Sequence, residues 1–200
     1  MVNSLNRRER KKLNSKKAII EAAVTLFIQK GYSETSIAEI MNEADLGLGT
    51  FYNYFQSKED ILEFFLAEIT SKINQEYLKL AQEPKNASEI LTEVFLLTGR
   101  ILSEHRFVLP LFLSAGHKGA GNKMPAAPHS RLTFRSIFLT IIRKGQRSGE
   151  FRQDIPAEIV TEMFHAIFQT ASFSSLPMPF MENVEYKLKM VLAGIVVQSS

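Results

Sequence analysis

The stretch Leu46–Phe55, LGLGTFYNYF, gathers one threonine, two tyrosines and one asparagine between Thr50 and Tyr54. Their hydroxyl and amide groups hydrogen-bond without changing charge near neutral pH, which suits reading a polar edge rather than moving a proton. An asparagine amide pairs with adenine through two hydrogen bonds, and a hydroxyl reaches a phosphate oxygen. Side chains that would catalyse are sparse. The four histidines (His105, His117, His129, His165) are widely spaced with no zinc signature, and there is no cysteine and no Gly-x-Ser-x-Gly turn. Gly47-Leu48-Gly49 lacks the third glycine and the preceding strand of a dinucleotide loop, and Gly119-Ala120-Gly121 sits in a Pro-rich segment. The expectation is a chain with no catalytic residue, no metal and no cofactor.

Apart from this stretch, whose spacing also admits a short strand, the elements that must hold it read as helical. Ile19, Ala23, Leu26 and Phe27 follow one helix face, and Gly31 suits the end of that helix. Thr35 or Ser36 offers an N-cap for a short helix carrying Ile37, Ile40 and Met41. Ser57 with Asp60 resembles a capping box. It opens a long helix striped by Leu62, Phe65, Leu66, Ile69, Ile73, Tyr77 and Leu80, and Pro84 ends it. Further helices are expected over about 86–103, 106–115, 130–148, 156–174 and 182–198, with Pro110 kinking the second of these and a Gly/Pro loop over 116–129. The reading is all-α with about nine helices. Twelve of 15 phenylalanines follow residue 60, so a small N-terminal module is expected on a larger, Phe-rich helical body.

Composition narrows the classes. A chain of 200 residues with 45% hydrophobic content is not globally disordered. Zero cysteines exclude disulfides and thiolate metal sites and fit a reducing compartment. The longest apolar run, MVLAGIVV, falls short of the ~20 residues that span a bilayer. Glu21 follows the first apolar residues, so no signal-peptide core develops. A cytoplasmic protein with no membrane partner is expected. The net charge is only +3, yet Arg7, Arg8, Arg10, Lys11, Lys12, Lys16 and Lys17 precede Ala18 against the single Glu9. This basic arm reads either as a polyanion contact or as a solvated terminus.

Two short helices joined by a tight turn make a helix-turn-helix, which presents its second helix to a DNA major groove. Asp45 tolerates the left-handed backbone such a turn needs, Leu46 pins the turn, and Gly47 stands at the N-cap of the second helix. Phe51 and Phe55, four apart, face inward. Leu48, Gly49, Tyr52 and Asn53 then face outward, with Thr50 at the leading end.

In this order the residues resemble the DNA-binding motif of TetR-family transcriptional regulators. The matching positions are Gly31-Tyr32, Thr35-Ser36, Gly49-Thr50-Phe51-Tyr52-Asn53-Tyr54-Phe55 and Ser57-Lys58-Glu59. The motif covers roughly residues 15–65, and chain length, helical pattern and the GQRSGEF turn extend the likeness more weakly. Asp45 and Gly47 depart from the family's usual turn glycine and its Ser, Thr or Pro, and Leu48 replaces a commonly polar or basic reader.

The resemblance implies three regions: a basic flexible arm (1–14), a DNA-binding domain (15–60, motif about 36–55) and a ligand-binding and dimerisation domain (61–200). It implies phosphate contacts from Tyr52, Lys58 and Thr35 or Ser36, with Lys16 and Lys17 reaching an adjacent phosphate or the minor groove. Leu48, Gly49, Thr50 and Asn53 are candidates for base edges, and Tyr54 is read either as core or as a phosphate contact. A homodimer is implied, with Ile159, Met163, Ile167, Leu188, Val191, Leu192 and Ile195 at its interface. A pocket for a small, largely apolar or aromatic effector is also implied. Its candidate lining is Phe65, Phe95, Arg100, Phe107, Phe112, Phe134, Phe138, His165 and Phe168, although most of these rings are expected in the core. The expected function is a repressor on a pseudo-palindromic double-stranded DNA operator, released by the effector. Alternatives are an activator of the same fold, or a helical protein binding DNA or a membrane surface without specificity.

Overall fold

The computed structural model describes residues 6–109 and 133–197. Among them are seven α-helices and two 3₁₀ helices. The chain divides into two compact units, residues 1–66 with 106–108, and residues 67–105 with 109–200.

In the first unit, α1 (Arg7–Lys30) starts on a capping box, with the Asn6 N–H donating to Glu9 at 2.9 Å. Residues 7–14, expected as a flexible arm, are therefore helical from Arg7. The helix ends where Gly31 turns to φ 90° and its N–H returns to the Phe27 carbonyl. Its buried face is Ile19, Ala22, Ala23 and Phe27. Helix α2 (Ile37–Glu43) is capped by Ser36 and buries Ile40 and Met41. A 3₁₀ helix (Leu48–Asn53) follows, and then α3 (Lys58–Leu80), whose residues up to Leu66 belong to this unit. Asp60 accepts from the Gln56 N–H at 2.8 Å, and its own N–H reaches the Ser57 hydroxyl at 3.3 Å, so the opening of α3 is capped by side chains on both sides. The second 3₁₀ helix (Arg106–Val108) joins the unit through Phe107, whose ring lies 5.4 Å from Phe27 and 5.5 Å from Phe65.

In the second unit, α4 (Ala87–Glu104) packs on α5 (Phe134–Arg147) and α7 (Phe180–Ile195), and α6 (Ala157–Ser172) packs on α5 and α7. The four helices thus close a ring around Phe95, Phe138, Phe164 and Phe168, each at most 3% exposed. Phe95 stacks on Phe168 at 4.3 Å, and the Phe164 ring meets it edge-on at 5.3 Å. The GQRSGEF turn lets the chain reverse: Gly149 takes φ 76°, and a Cβ on Gly145 would stand 2.2 Å from the Phe151 ring. Glu150 then caps a different helix, its two carboxylate oxygens accepting from the Ala87 and Ser88 N–H groups at 2.7 Å each. Pro110, Phe112 and the 116–129 loop lie outside the described residues.

Candidate nucleic-acid interface

The turn after α2 is built by one left-handed residue. Asp45 adopts φ 53°, and the Leu46 N–H reaches back to the Met41 carbonyl at 3.0 Å. The chain then re-enters a helical path at Gly47, whose carbonyl accepts the Thr50 N–H at 2.8 Å. Sequence spacing pointed to a helix here, and the structure shows its tighter 3₁₀ form. Gly47 offers no side-chain cap bond, and glycine in a helix interior costs about 1 kcal/mol relative to alanine. A six-residue element with Gly49 inside it has little to sustain α-helical nucleation.

Phe51 and Phe55 anchor this element. They are 0% and 5% exposed, with ring centroids 5.9 Å apart. The remaining residues are thereby turned outward. Leu48, Gly49 and Asn53 are exposed, Tyr52 is 62% exposed, and Thr50 and Tyr54 are half-buried. A Cβ placed on Gly49 would meet nothing within 4 Å. The protein's own packing therefore gives no reason for glycine at that position.

The other candidates differ in accessibility. Thr35 is 2% exposed and donates its hydroxyl to the Gly31 carbonyl at 2.8 Å, so it ties the end of α1 to the start of α2. Ser36 stays exposed. Its hydroxyl donates to Glu39 at 2.7 Å, and its N–H donates to the same carboxylate at 2.8 Å. Glu39 also pairs with Lys30, and the hydrogen bonds from Lys30 and Ser36 hold its carboxyl down at about 2. The Lys16 ammonium lies 3.9 Å from the Phe64 ring centroid, while Lys17 is exposed beside Glu21.

Lys58 is bound inward rather than extended. Its ammonium donates to the carbonyls of Tyr32 (2.8 Å), Thr35 (2.9 Å) and Ser33 (3.3 Å). It also stands 4.4 Å from the Tyr32 ring centroid. The Tyr32 hydroxyl donates to Glu59 at 2.5 Å; burial first, then this carboxylate, raise the tyrosine's pKa well above its usual range. Spacing could not reveal this arrangement, because it joins residues 23 to 27 positions apart. Its only local traces were Gly31-Tyr32 and Ser57-Lys58-Glu59.

The candidate effector residues fall in both units. Phe65 and Phe107 lie with Phe27 in the first. Phe95, Phe134, Phe138 and Phe168 are buried in the second, where Arg100 is exposed and His165 half-buried. Of the dimer candidates, Ile167, Leu188 and Ile195 are buried within the protomer, and Val191 and Leu192 are half-buried. Ile159 and Met163 are 50% and 51% exposed. Among the described residues no helix is long and apolar enough to cross a membrane, and no cluster of three metal-ligating side chains occurs.

The chain is similar to known proteins in part of its sequence and in its fold. Residues 19–63 match the family described as bacterial regulatory proteins, tetR family. The HTH-type transcriptional regulator YuxN of Bacillus subtilis is 54% identical over 46 residues, which are 23% of this chain and only 16% of that protein. The fatty acid metabolism regulator protein of Bacillus subtilis is 27% identical over 158 residues, 77% of this chain and 80% of its own. The crystal structure of Thermus thermophilus FadR, a TetR-family transcriptional repressor in complex with lauroyl-CoA, superposes with a TM-score of 0.65 at 21% identity, covering 92% of this chain and 97% of the other.

Proposed function

We propose that this chain, whose residues 19–63 match the tetR family of bacterial regulatory proteins, acts as a homodimeric repressor binding a pseudo-palindromic operator and released by a small, largely apolar or aromatic effector. The observation that carries the DNA reading is the uncovered face of the Leu48–Asn53 element. Two buried phenylalanines fix it, and it offers Thr50, Tyr52 and Asn53 beside a glycine with open space around it. Asn53 suits an adenine edge and Tyr52 a phosphate, while Leu48 suits a thymine methyl. Arg7, Arg8, Arg10, Lys11 and Lys12, all exposed on α1, add charge that favours phosphate contacts.

Dimerisation is supported by apolar surface that the protomer leaves uncovered. Ile159 and Met163 on α6, and Tyr186 and Met190 on α7, are each at least 50% exposed and recur at four-residue spacing. A two-fold pairing of these helices would cover that surface and present two DNA-binding elements to successive grooves. The effector reading draws on the lauroyl-CoA bound by the Thermus thermophilus protein and on the aromatic interior of the second unit. An effector acts only through different affinities for the DNA-competent and incompetent states.

The test is selection of bound duplexes from a random pool, followed by gel shift at stated salt. A selected palindrome whose retardation is lost in the Tyr52→Ala/Asn53→Ala variant supports the reading. Retardation that ignores sequence and survives both changes overturns it. Light scattering showing only monomer at micromolar concentration overturns the dimer.

A further inference from the structure

The family resemblance makes Lys58 a phosphate contact, but its geometry gives it another task. We propose that Lys58 is a positioning residue: its ammonium straps the loop between α1 and α2 to the start of α3, and so sets the pose of the helix-turn-helix on DNA. This rests on the DNA-binding reading above.

An ammonium has three N–H donors, and here three carbonyls receive them, those of Tyr32, Thr35 and Ser33 at 2.8, 2.9 and 3.3 Å. All three acceptors lie in the segment that carries the chain from the end of α1 to the cap of α2. The ring of Tyr32 adds a cation–π contact at 4.4 Å. The Tyr32 hydroxyl then closes the loop onto Glu59, the residue after Lys58, at 2.5 Å. The strap therefore has two strands from one helix opening, one cationic and one anionic, both holding Tyr32. Reaching a phosphate would require the ammonium to give up its carbonyl partners, leaving those oxygens to find water.

What the strap positions is the start of α2. Thr35 is buried, and its carbonyl is one of the three acceptors. Ser36, the next residue, is the exposed N-cap of α2, and its hydroxyl and N–H are both held by Glu39. Lys58 thus acts on DNA through the loop, and the arrangement demands a compact, three-donor cation. Arginine keeps the charge, but its planar fork does not match three carbonyls converging on one nitrogen.

The experiment compares the full-length wild type with Lys58→Met, Lys58→Arg and Tyr32→Phe. Two probes are used: the tightest duplex that the wild type selects from a random pool, and a scrambled duplex of the same length. Affinities are measured across a salt series at a temperature where every variant is folded. Lys58→Met and Lys58→Arg are both expected to lose about tenfold or more on the selected duplex. Affinity for the scrambled duplex and the slope of log K against log[salt] should stay at wild-type values, because no phosphate contact is removed. Tyr32→Phe, which keeps the ring and loses the Glu59 bond, is expected to show a smaller loss of the same kind. A phosphate contact would give the opposite pattern: a slope shallower by about 0.9 per contact, both duplexes weakened alike, and rescue by arginine. That result overturns the proposal and leaves the DNA-binding reading intact. A lowered melting temperature with unchanged affinity for the selected duplex reduces Lys58 to a purely structural role and also overturns it. A wild type that selects no duplex removes both readings together.

Discussion

In the first unit Phe51 and Phe55 are buried, and the surface they leave outward holds Tyr52, Asn53, Thr50 and Gly49. In the second unit Phe95, Phe138, Phe164 and Phe168 are buried, and the surface left outward on α6 and α7 includes Ile159, Met163, Tyr186 and Met190. Both units solve the same internal problem with aromatic rings, yet their uncovered faces differ in chemistry. A face of hydroxyls, an amide and a glycine, with Leu48 as its one large apolar side chain, suits a hydrated, charged partner. A face of large apolar side chains at helical spacing suits another apolar face, most simply that of a second copy. The glycines repeat the contrast. Gly145 is required from within, because a Cβ would strike the Phe151 ring at 2.2 Å, whereas Gly49 meets nothing inside the protein. One glycine serves the fold, while no packing contact within 4 Å requires the other.

The largest expected effect tests whether the outward face depends on its buried anchors. Phe51 is 0% exposed, so Phe51→Ala should lower stability by about 3–5 kcal/mol in denaturant titration, with the loss falling on the first unit. Far-UV circular dichroism should then show a first transition that spares most of the helix in α4 to α7. A variant that unfolds both units in one shifted transition would break the comparison, because it would make them one cooperative body. Next in size, Gly145→Ala forces the buried Phe151 ring aside and should cost about 1–3 kcal/mol. Its folded fraction should bind duplex DNA as the wild type does, since the strain lies in the second unit.

Gly49→Ala reverses that pattern and sharpens the contrast. The free protein has room for the methyl group, and alanine favours helix by up to about 1 kcal/mol, so stability should hold or rise slightly. Affinity for the selected duplex should nevertheless fall about tenfold, as expected if the DNA backbone approaches the Gly49 Cα. Unchanged affinity would mean that this glycine is reserved for neither the fold nor the partner.

How much of this was legible in the sequence depends on the range of each interaction. The left-handed Asp45, the cap at Ser36, the stop at Gly31 and the inward pair Phe51/Phe55 are all encoded within a few residues, and local chemistry exposes them. The strap from Lys58 and the cap that Glu150 lends to α4 join segments 23 or more positions apart, beyond any spacing rule. The apolar faces of α6 and α7 show a different limit. Each helix carries more apolar residues than one buried face takes up, so spacing could not tell that Ile167 and Leu188 turn inward while Met163 and Met190 stay out. The 3₁₀ form of Leu48–Asn53 was hidden for a third reason, because six residues are too few for spacing to separate a period of 3.0 from one of 3.6.

The smallest expected effect lies at the rim of the first unit, where polar groups on the surface stabilise the element beneath them. Glu39 accepts from Lys30 and from the Ser36 hydroxyl and N–H, and these bonds lower its carboxyl from an ordinary 4.5 to about 2. A carboxyl with a depressed folded-state pKa contributes stability that is fully present above its unfolded value and fades as pH falls through the folded one. The contribution should therefore be constant from neutrality down to about pH 4.5 and decline between there and about 2. Because the pair is solvent-exposed, salt and water keep it small. The melting temperature of the wild type should exceed that of Glu39→Gln at pH 7, and the gap should narrow through that window. The glutamine amide introduced by this substitution can still serve as a neutral capping partner for Ser36, so what the window isolates is the charge. A gap of equal size at neutral pH and at the acid end of the window would assign the stabilisation to packing or to the cap alone, and the polar rim would then differ less from the apolar second unit than the buried and exposed residues suggest.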